Sequence, residues 1–345
     1  MTRQPIVVIG ASAGGVEALQ ALASRLPTDF PAPVLMVLHI APYSPSVLPD
    51  ILNRCCALPA QHAQDGETAQ PGRIYVAPPD HHLLVENGEL AVTKGPRENR
   101  MRPAIDTLFR SAAYTHGPDV TGVILSGLLD DGTSGLWTIK RLGGQAIVQD
   151  PGDARFDAMP RSAIQHVAVD AVLSAAQIGE QLSQLVRQPR QSLAVQLEPH
   201  EHKRLRAEVR IAAQDSGYEL GIMNCGKPSL LTCPECHGTL TQIQEGTLTR
   251  YRCHTGHAYT ASSLLADITS DIEEKAYQVL RALEESAILL RQLGGQCEQS
   301  GNLRAAQAFL VQAHEAEEHA QTVHNLIIHN KQLSSAKVEE AAPRE

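Results

Sequence analysis

The chain has 345 residues, with 29 Lys plus Arg against 38 Asp plus Glu, for a formal charge of −9. At roughly 150 residues per domain this length predicts two domains with a smaller appendage, and 43% hydrophobic with 19% charged residues is enough for a buried core. The acidic balance argues against a general nucleic-acid binder, which needs clustered positive charge to neutralise phosphates. No apolar run approaches the ~20 residues of a membrane helix. MTRQPIVVIGAS enters a strand-like run at once, leaving no room for a signal peptide, so a cytoplasmic location is expected.

From the N-terminus, short β-rich runs alternate with helical patterns. IVVIG (6–10), VLMVLHI (34–40), RIYVAP (73–78), TGVILSG (121–127) and QAIVQD (145–150) read as strands. VEALQALASRL (16–26), the stretch around AIDTLFRSAAY (104–114) and TSGLWTIKRL (133–142) read as helices. This alternation predicts an α/β fold, a doubly wound, mostly parallel sheet covered on both faces. HLLVENGELAV (82–92) instead predicts an antiparallel hairpin turning at Asn87-Gly88. Residues 1–187 form this domain. Residues 188–224 are polar, rich in Gln, Arg and Glu, and read as a linker with a short helix.

Of seven cysteines, three fall within 21 residues, and an odd number without an export signal is a poor disulfide framework. Cys233-P-E-Cys236 and Cys253-H-T-G-His257 have zinc-ligand spacing: a tight knuckle points two thiolates at one ion, and a second pair completes the tetrahedron. The intervening alternating run, with a turn at Glu245-Gly246, predicts a small zinc ribbon over 225–262. His254 is the alternative fourth ligand, and Cys225 stands outside. A closed four-ligand site is structural, so a structural Zn2+ is expected and no cofactor for catalysis.

Residues 263–332 carry apolar stripes at three- and four-residue steps, through Leu265, Ile268, Ile272 and onward, then through Leu303, Ala306, Leu310 and onward. GGQCEQSGN is expected to break the helix between them, giving an α-helical hairpin or short coiled coil that could self-associate. The tail, 333–345, reads as disordered. His314-E-A-E-E-His319 lacks the spacing of a helical zinc site and reads as a solvated face, and Cys55-Cys56 as packing residues.

The turn V-I-Gly10-A-Ser12-A-Gly14-Gly15-V hands the first strand to the first helix. A dinucleotide site would want glycine at the middle position and an acid ending the second strand; here stand Ser12 and His39. Strand ends on one edge of a parallel sheet converge, so Ser12 and His39 form a nucleophile–base pair. One of Asp130 and Asp131, after TGVILSG, supplies the acid that orients the imidazole.

GASAGG, VLH, Y-V-A-P-P-D (75–80), R-P-A-I-D-T-L-F (102–109), ILSGLLDDGTSG and Q-D-P…A-M-P-R-S-A-I (149–164) together resemble the catalytic domain of the chemotaxis protein-glutamate methylesterases, CheB, over about residues 4–186. The resemblance implies hydrolysis of γ-glutamyl methyl esters on the cytoplasmic helices of chemoreceptors, with deamidation of selected glutamines. It implies Ser12 as nucleophile, His39 as base and Asp131 as orienting acid, with the Leu128 amide as an oxyanion donor. Leu129 and Ala13 depart from the family's small residue and Thr. Arg97, Arg100 and Arg102 could steer an acidic receptor helix. The family's receiver domain is expected to be absent, so a phosphoryl donor should leave activity unchanged. The Cys/His cassette resembles extensions on some receiver-less members, and truncation after about residue 187 is expected to leave a folded esterase. The competing readings are a non-catalytic adaptor using the helical tail and, with less support, a dinucleotide-binding oxidoreductase.

Overall fold

The computed structural model describes residues 4–86, 88–188 and 197–329; Asn87, part of the expected linker and the expected disordered tail at 333–345 lie outside the described residues. The chain divides into two compact units, Met1–Leu264 and Leu265–Glu345.

The first unit opens with β1 (Ile6–Ala11), α1 (Gly15–Ala23), β2 (Val34–Leu38), α2 (Leu48–Cys55), β3 (Ala60–His62) and β4 (Ile74–Val76). A hairpin follows, β5 (His82–Glu86) paired antiparallel with β6 (Glu89–Thr93), as the alternating pattern predicts. Next come α3 (Ile105–His116), β7 (Val120–Ile124), α4 (Thr133–Arg141), β8 (Gln145–Gln149), α5 (Ala158–His166), β9 (Ala171–Leu173) and α6 (Ala175–Leu185). Among the described residues, seven of these strands form one sheet in the order β3-β4-β2-β1-β7-β8-β9. Every pairing in it is parallel. Strands buried on both faces explain the near-continuous apolar runs. In β1, Val7, Ile9 and Ala11 join the core on one face, and Ile6 and Val8 join the core on the other.

The unit does not end at residue 187. α7 (Pro199–Ala212) starts with Pro in its first turn and a reciprocal Glu198/Glu201 cap, and it buries Leu205, Ala207, Val209, Ile211 and Ala212. Four antiparallel strands follow: β10 (Lys227–Thr232), β11 (Thr239–Glu245), β12 (Leu248–Cys253) and β13 (Ala258–Thr260). β13 also bridges to Glu98, and the Asn99 amide donates to the Ala258 carbonyl at 2.7 Å.

A buried ion cluster ties these parts together. Glu98 and Arg110 come from the α/β domain, Glu208 from α7, and Glu245, Arg250 and Arg252 from the ribbon; their side chains are at most 2% exposed. Arg110 meets Glu98 at 3.0 Å, Arg250 meets Glu208 at 2.9 Å and Glu245 at 3.1 Å, and Arg252 pairs with Glu98. Burial alone pushes the Glu98 carboxyl up, but Arg110, Arg252 and Arg250 hold it down at about 2. The helix expected in the linker is therefore a packed one, its packing concealed by polar composition because one of its interior positions is a glutamate neutralised from elsewhere.

In the second unit, the helix α8 (Ala261–Gln299), whose first turn belongs to the first unit, is followed by α9 (Leu303–His329). The expected break falls within GGQCEQSGN, at its end: α8 continues through Gly294 and Gly295, and the chain turns at Ser300–Asn302. Gly301 takes the left-handed φ of +79° that such a stop requires. Gly294 stays helical because α9 packs on it. A side chain there would stand 3.4 Å from the Ala306 carbonyl and Phe309. Leu280, Ala287 and Gly294 recur at seven-residue steps and are buried, as are Ala306, Ala313 and Ala320. Arg291 and Glu317 form an ion pair between the two helices.

Candidate active site

β1 has β2 on one side and β7 on the other, so the chain leaves it in opposite directions and a crevice opens at the carboxyl ends. The Ser12 amide donates to the Ser126 carbonyl beyond β7 at 2.9 Å, and the His39 amide to the Ala11 carbonyl at 3.1 Å. These backbone bonds fix where both side chains start. The Ser126 hydroxyl donates to the Ala13 carbonyl at 2.8 Å and accepts from the Phe156 amide at 2.9 Å. Gly127 permits this closeness, since a side chain there would collide with the Met159 sulfur and crowd Ser12 Cβ.

The three residues expected from sequence meet. His39 Nδ1 lies 3.2 Å from Ser12 Oγ, and His39 Nε2 lies 2.8 Å from Asp131 Oδ2. The His39 and Asp131 side chains are each 4% exposed. An ionised Asp131 can only accept, so Nε2 carries the proton and Nδ1 is free to accept from the serine.

Asp131 sits at the start of two helices. Its Oδ2 also accepts from the Ile105 amide at 2.7 Å; its Oδ1 accepts from the Asp106 amide at 3.3 Å and the Gly132 amide at 3.0 Å. Ile105 and Asp106 open α3, and Gly132 caps α4, so both helix dipoles favour the negative charge. Burial pushes the Asp131 carboxyl up, yet the hydrogen bond and charge of His39 with these donors hold it below its ordinary value. Its neighbour Asp130 turns away and accepts from the Thr260 hydroxyl at 2.7 Å, and burial pushes it up to about 6.

Two polar residues at the acid escaped the sequence reading. Asn99 Nδ2 donates to Asp131 Oδ1 at 2.8 Å and to Asp106 Oδ2 at 2.9 Å. Asp106 is raised well above the ordinary value by burial and by the charge of Asp131. Asn99 lies in a loop where the arginines draw attention, and only its position three residues before R-P-A-I-D hints at a role. Among those arginines, Arg102 is committed to Asp80, with both Nε and Nη2 within 2.9 Å of Oδ1. It is therefore a structural cation rather than a steering one.

The second cluster also assembles. Ligand atoms of Cys233, Cys236, Cys253 and His257 all lie within 4.8 Å of one another, and His254 is not among them. Cys236 Sγ is 3.6 Å from Cys253 Sγ, and His257 Nδ1 is 3.7 Å from Cys233 Sγ. Four ligands at bond lengths of about 2.0–2.3 Å around a tetrahedral ion would have edges of this order. His257 Nε2 faces Glu235 at 3.2 Å, the carboxylate partner that orients a ligating imidazole. The donor set fits a tetrahedral zinc. In contrast, His314 lies on an exposed helix face and pairs with Glu318 at 3.6 Å. Among the described residues no helix is long and apolar enough to cross a membrane.

Comparison with known proteins matches the CheB methylesterase family model to residues 7–182. A Leptospira interrogans protein, provisionally named a protein-glutamate methylesterase/protein-glutamine glutaminase, is 42% identical over 175 residues, which are 50% of this chain and 91% of that protein. A protein of Anaeromyxobacter dehalogenans, named a protein-glutamate methylesterase/protein-glutamine glutaminase, is 39% identical over 54% of this chain and 52% of its own length. The crystal structure of the Thermotoga maritima CheB methylesterase catalytic domain superposes with a TM-score of 0.51 at 36% identity, covering 53% of this chain and 98% of that one. With the family model matched over half of its residues, the chain belongs to the CheB methylesterase family.

Proposed function

We propose that the chain hydrolyses γ-glutamyl methyl esters, and deamidates glutamines, on methylated chemoreceptor helices through a Ser12-His39-Asp131 triad. The observation that carries this is the continuous line from Ser12 Oγ to His39 Nδ1 at 3.2 Å and from His39 Nε2 to Asp131 Oδ2 at 2.8 Å, inside the segment that matches the family. Ser12 Oγ attacks the ester carbonyl as Nδ1 takes its proton; Asp131 holds the imidazolium that results. Backbone amides around the nucleophile turn, with Leu128 as the donor the family resemblance implies, hold the oxyanion, each worth about 3–4 kcal/mol of barrier. Collapse expels methanol, which takes the proton from Nδ1. Water, deprotonated by the same nitrogen, then releases the glutamate and regenerates Ser12. A glutamine amide follows the same course with ammonia leaving.

Cys233, Cys236, Cys253 and His257 hold a structural Zn2+, which supplies folding energy to the ribbon and no step of the reaction. The protein works in the cytoplasm, where the methylated helices are its partner. Exposed Ile288, Leu289, Leu293, Leu310 and Val311 on the hairpin favour self-association or docking through that element as a secondary contact. The test is methanol release from membranes carrying methylated receptor by purified protein beside Ser12→Ala.

A further inference from the structure

The acid of the triad does not depend on the α/β domain alone. Asn99 uses its full hydrogen-bonding capacity, and its partners come from two distant stretches of the first compact unit. Its two N–H groups go to Asp131 Oδ1 at 2.8 Å and Asp106 Oδ2 at 2.9 Å. Its carbonyl accepts from the Thr260 amide at 2.9 Å and the Ser263 hydroxyl at 3.0 Å, more than 160 positions later in the chain. Reversing the amide would turn its oxygen toward two carboxyl groups and its N–H toward two donors, so the network fixes the orientation. Asn99 is 4% exposed and stands at φ +50°, a conformation that asparagine tolerates. Its own amide bonds the Ala258 carbonyl, and Thr260 also reaches Asp130 through its hydroxyl. Ala258 and Thr260 belong to β13, which directly follows the Cys/His ligands.

We propose that Asn99 is a positioning residue for the triad acid, and that the Cys/His module holds Asn99 in register through Thr260 and Ser263. The module is then part of the catalytic unit rather than an appendage. Asn99 sets the rotation of the Asp131 carboxylate, so that Oδ2 rather than Oδ1 faces His39. This rests on the reading of Ser12, His39 and Asp131 as the triad. Misplacement of a catalytic group by about 1 Å costs on the order of 10²-fold in rate, and the Asn99 side chain bonds Asp131, Asp106, Thr260 and Ser263 rather than Ser12. Its loss should therefore fall on kcat and spare KM.

The experiment compares full-length Asn99→Ala, Ser263→Ala and the double variant. Hydrolysis of a small methyl ester is expressed per active site titrated with a serine-directed phosphonofluoridate, so unfolded protein does not count. Asn99→Ala is expected to lower kcat about 10–100-fold with KM within about twofold. Ser263→Ala should lower it several-fold, and the double variant should be no slower than Asn99→Ala, because both the Ser263 hydroxyl and the Thr260 amide that it also meets reach Asp131 by way of the Asn99 carbonyl. A kcat for Asn99→Ala within twofold of the parent, or strictly additive losses, would overturn the proposal. Should Asn99→Ala not fold, Ser263→Ala decides alone: unchanged kcat overturns, and a several-fold fall at constant KM supports. Retention of activity by Ser12→Ala would instead overturn the triad reading itself, while Ser12 dependence with an indifferent Asn99 removes only this inference.

Discussion

Asp131 carries a charge in a place that water barely reaches, and it does so because its two oxygens meet His39, three backbone amides and Asn99. Replacing that carboxylate by an amide lets the wrong ring nitrogen carry the proton. Asp131→Asn should therefore cost about 10⁴-fold in kcat, and Ser12→Ala or His39→Ala as much or more, the last two with melting temperature close to the parent. Asp130→Asn should be mild by comparison, since Asp130 meets Thr260 rather than His39. Steady-state kinetics on one ester substrate check all four, and a more damaging Asp130→Asn would contradict the geometry. The meeting of Ser12, His39 and Asp131 was legible in the sequence because a parallel sheet brings residues at strand ends together whatever their spacing. Asn99 was not, since its meaning depends on Thr260 and Ser263, which only the folded chain puts beside it.

At the scale of elements, the ion cluster at the junction of α3, α7 and the ribbon makes two predictions. Arg252→Met would leave the buried Glu98 and Glu208 without one of their cations. Removing one partner of such a set costs about 3–5 kcal/mol, measurable by chemical denaturation of the first unit. The Glu98 carboxyl is held at about 2 in the fold, below its ordinary 4.5. Its contribution is thus fully present above about pH 4.5 and lost as pH falls toward 2. Glu98→Gln should flatten that part of the stability–pH curve, and an unchanged acid limb would refute it. In the hairpin, Gly295 has nothing within 4 Å of where a side chain would stand. Gly295→Ala should stabilise α8 by about 0.5–1 kcal/mol, seen as a higher thermal midpoint. Sequence periodicity found both hairpin helices. It could not say which residue of GGQCEQSGN ends α8, because a glycine that lets a neighbouring helix approach, such as Gly294, looks the same as one that ends a helix, such as Gly301. The burial of α7, though not a helix in that stretch, was hidden for a related reason: composition counts Glu208 as polar, whereas Arg250 and Arg252 make it a core residue.

For the molecule as a whole, the alternation of strand and helix signals already pointed to the parallel sheet, and the alternating run at 82–92 to the hairpin. The extent of the first compact unit was not visible, because long-range pairings such as Ser134 with Glu245 at 2.6 Å leave no local trace. Cutting the chain after residue 187 would remove Glu208, Arg250, Arg252, Thr260 and Ser263 at one stroke. In place of the sturdy fragment that the sequence suggests, these contacts predict one that is less stable and slower. Metal analysis of reduced, chelator-free protein should find one zinc per chain, lost in Cys233→Ser or Cys253→Ser; a zinc-free parent would contradict the Cys/His site.

The central claim is that Ser12 opens methyl esters of glutamate. The most direct measurement is methanol released from membranes bearing methylated receptor by the purified full chain, beside Ser12→Ala at equal concentration. The triad predicts steady release by the parent and none above background by the variant. Equal release from both, or none from a folded parent that still reacts with a serine-directed phosphonofluoridate, would contradict it.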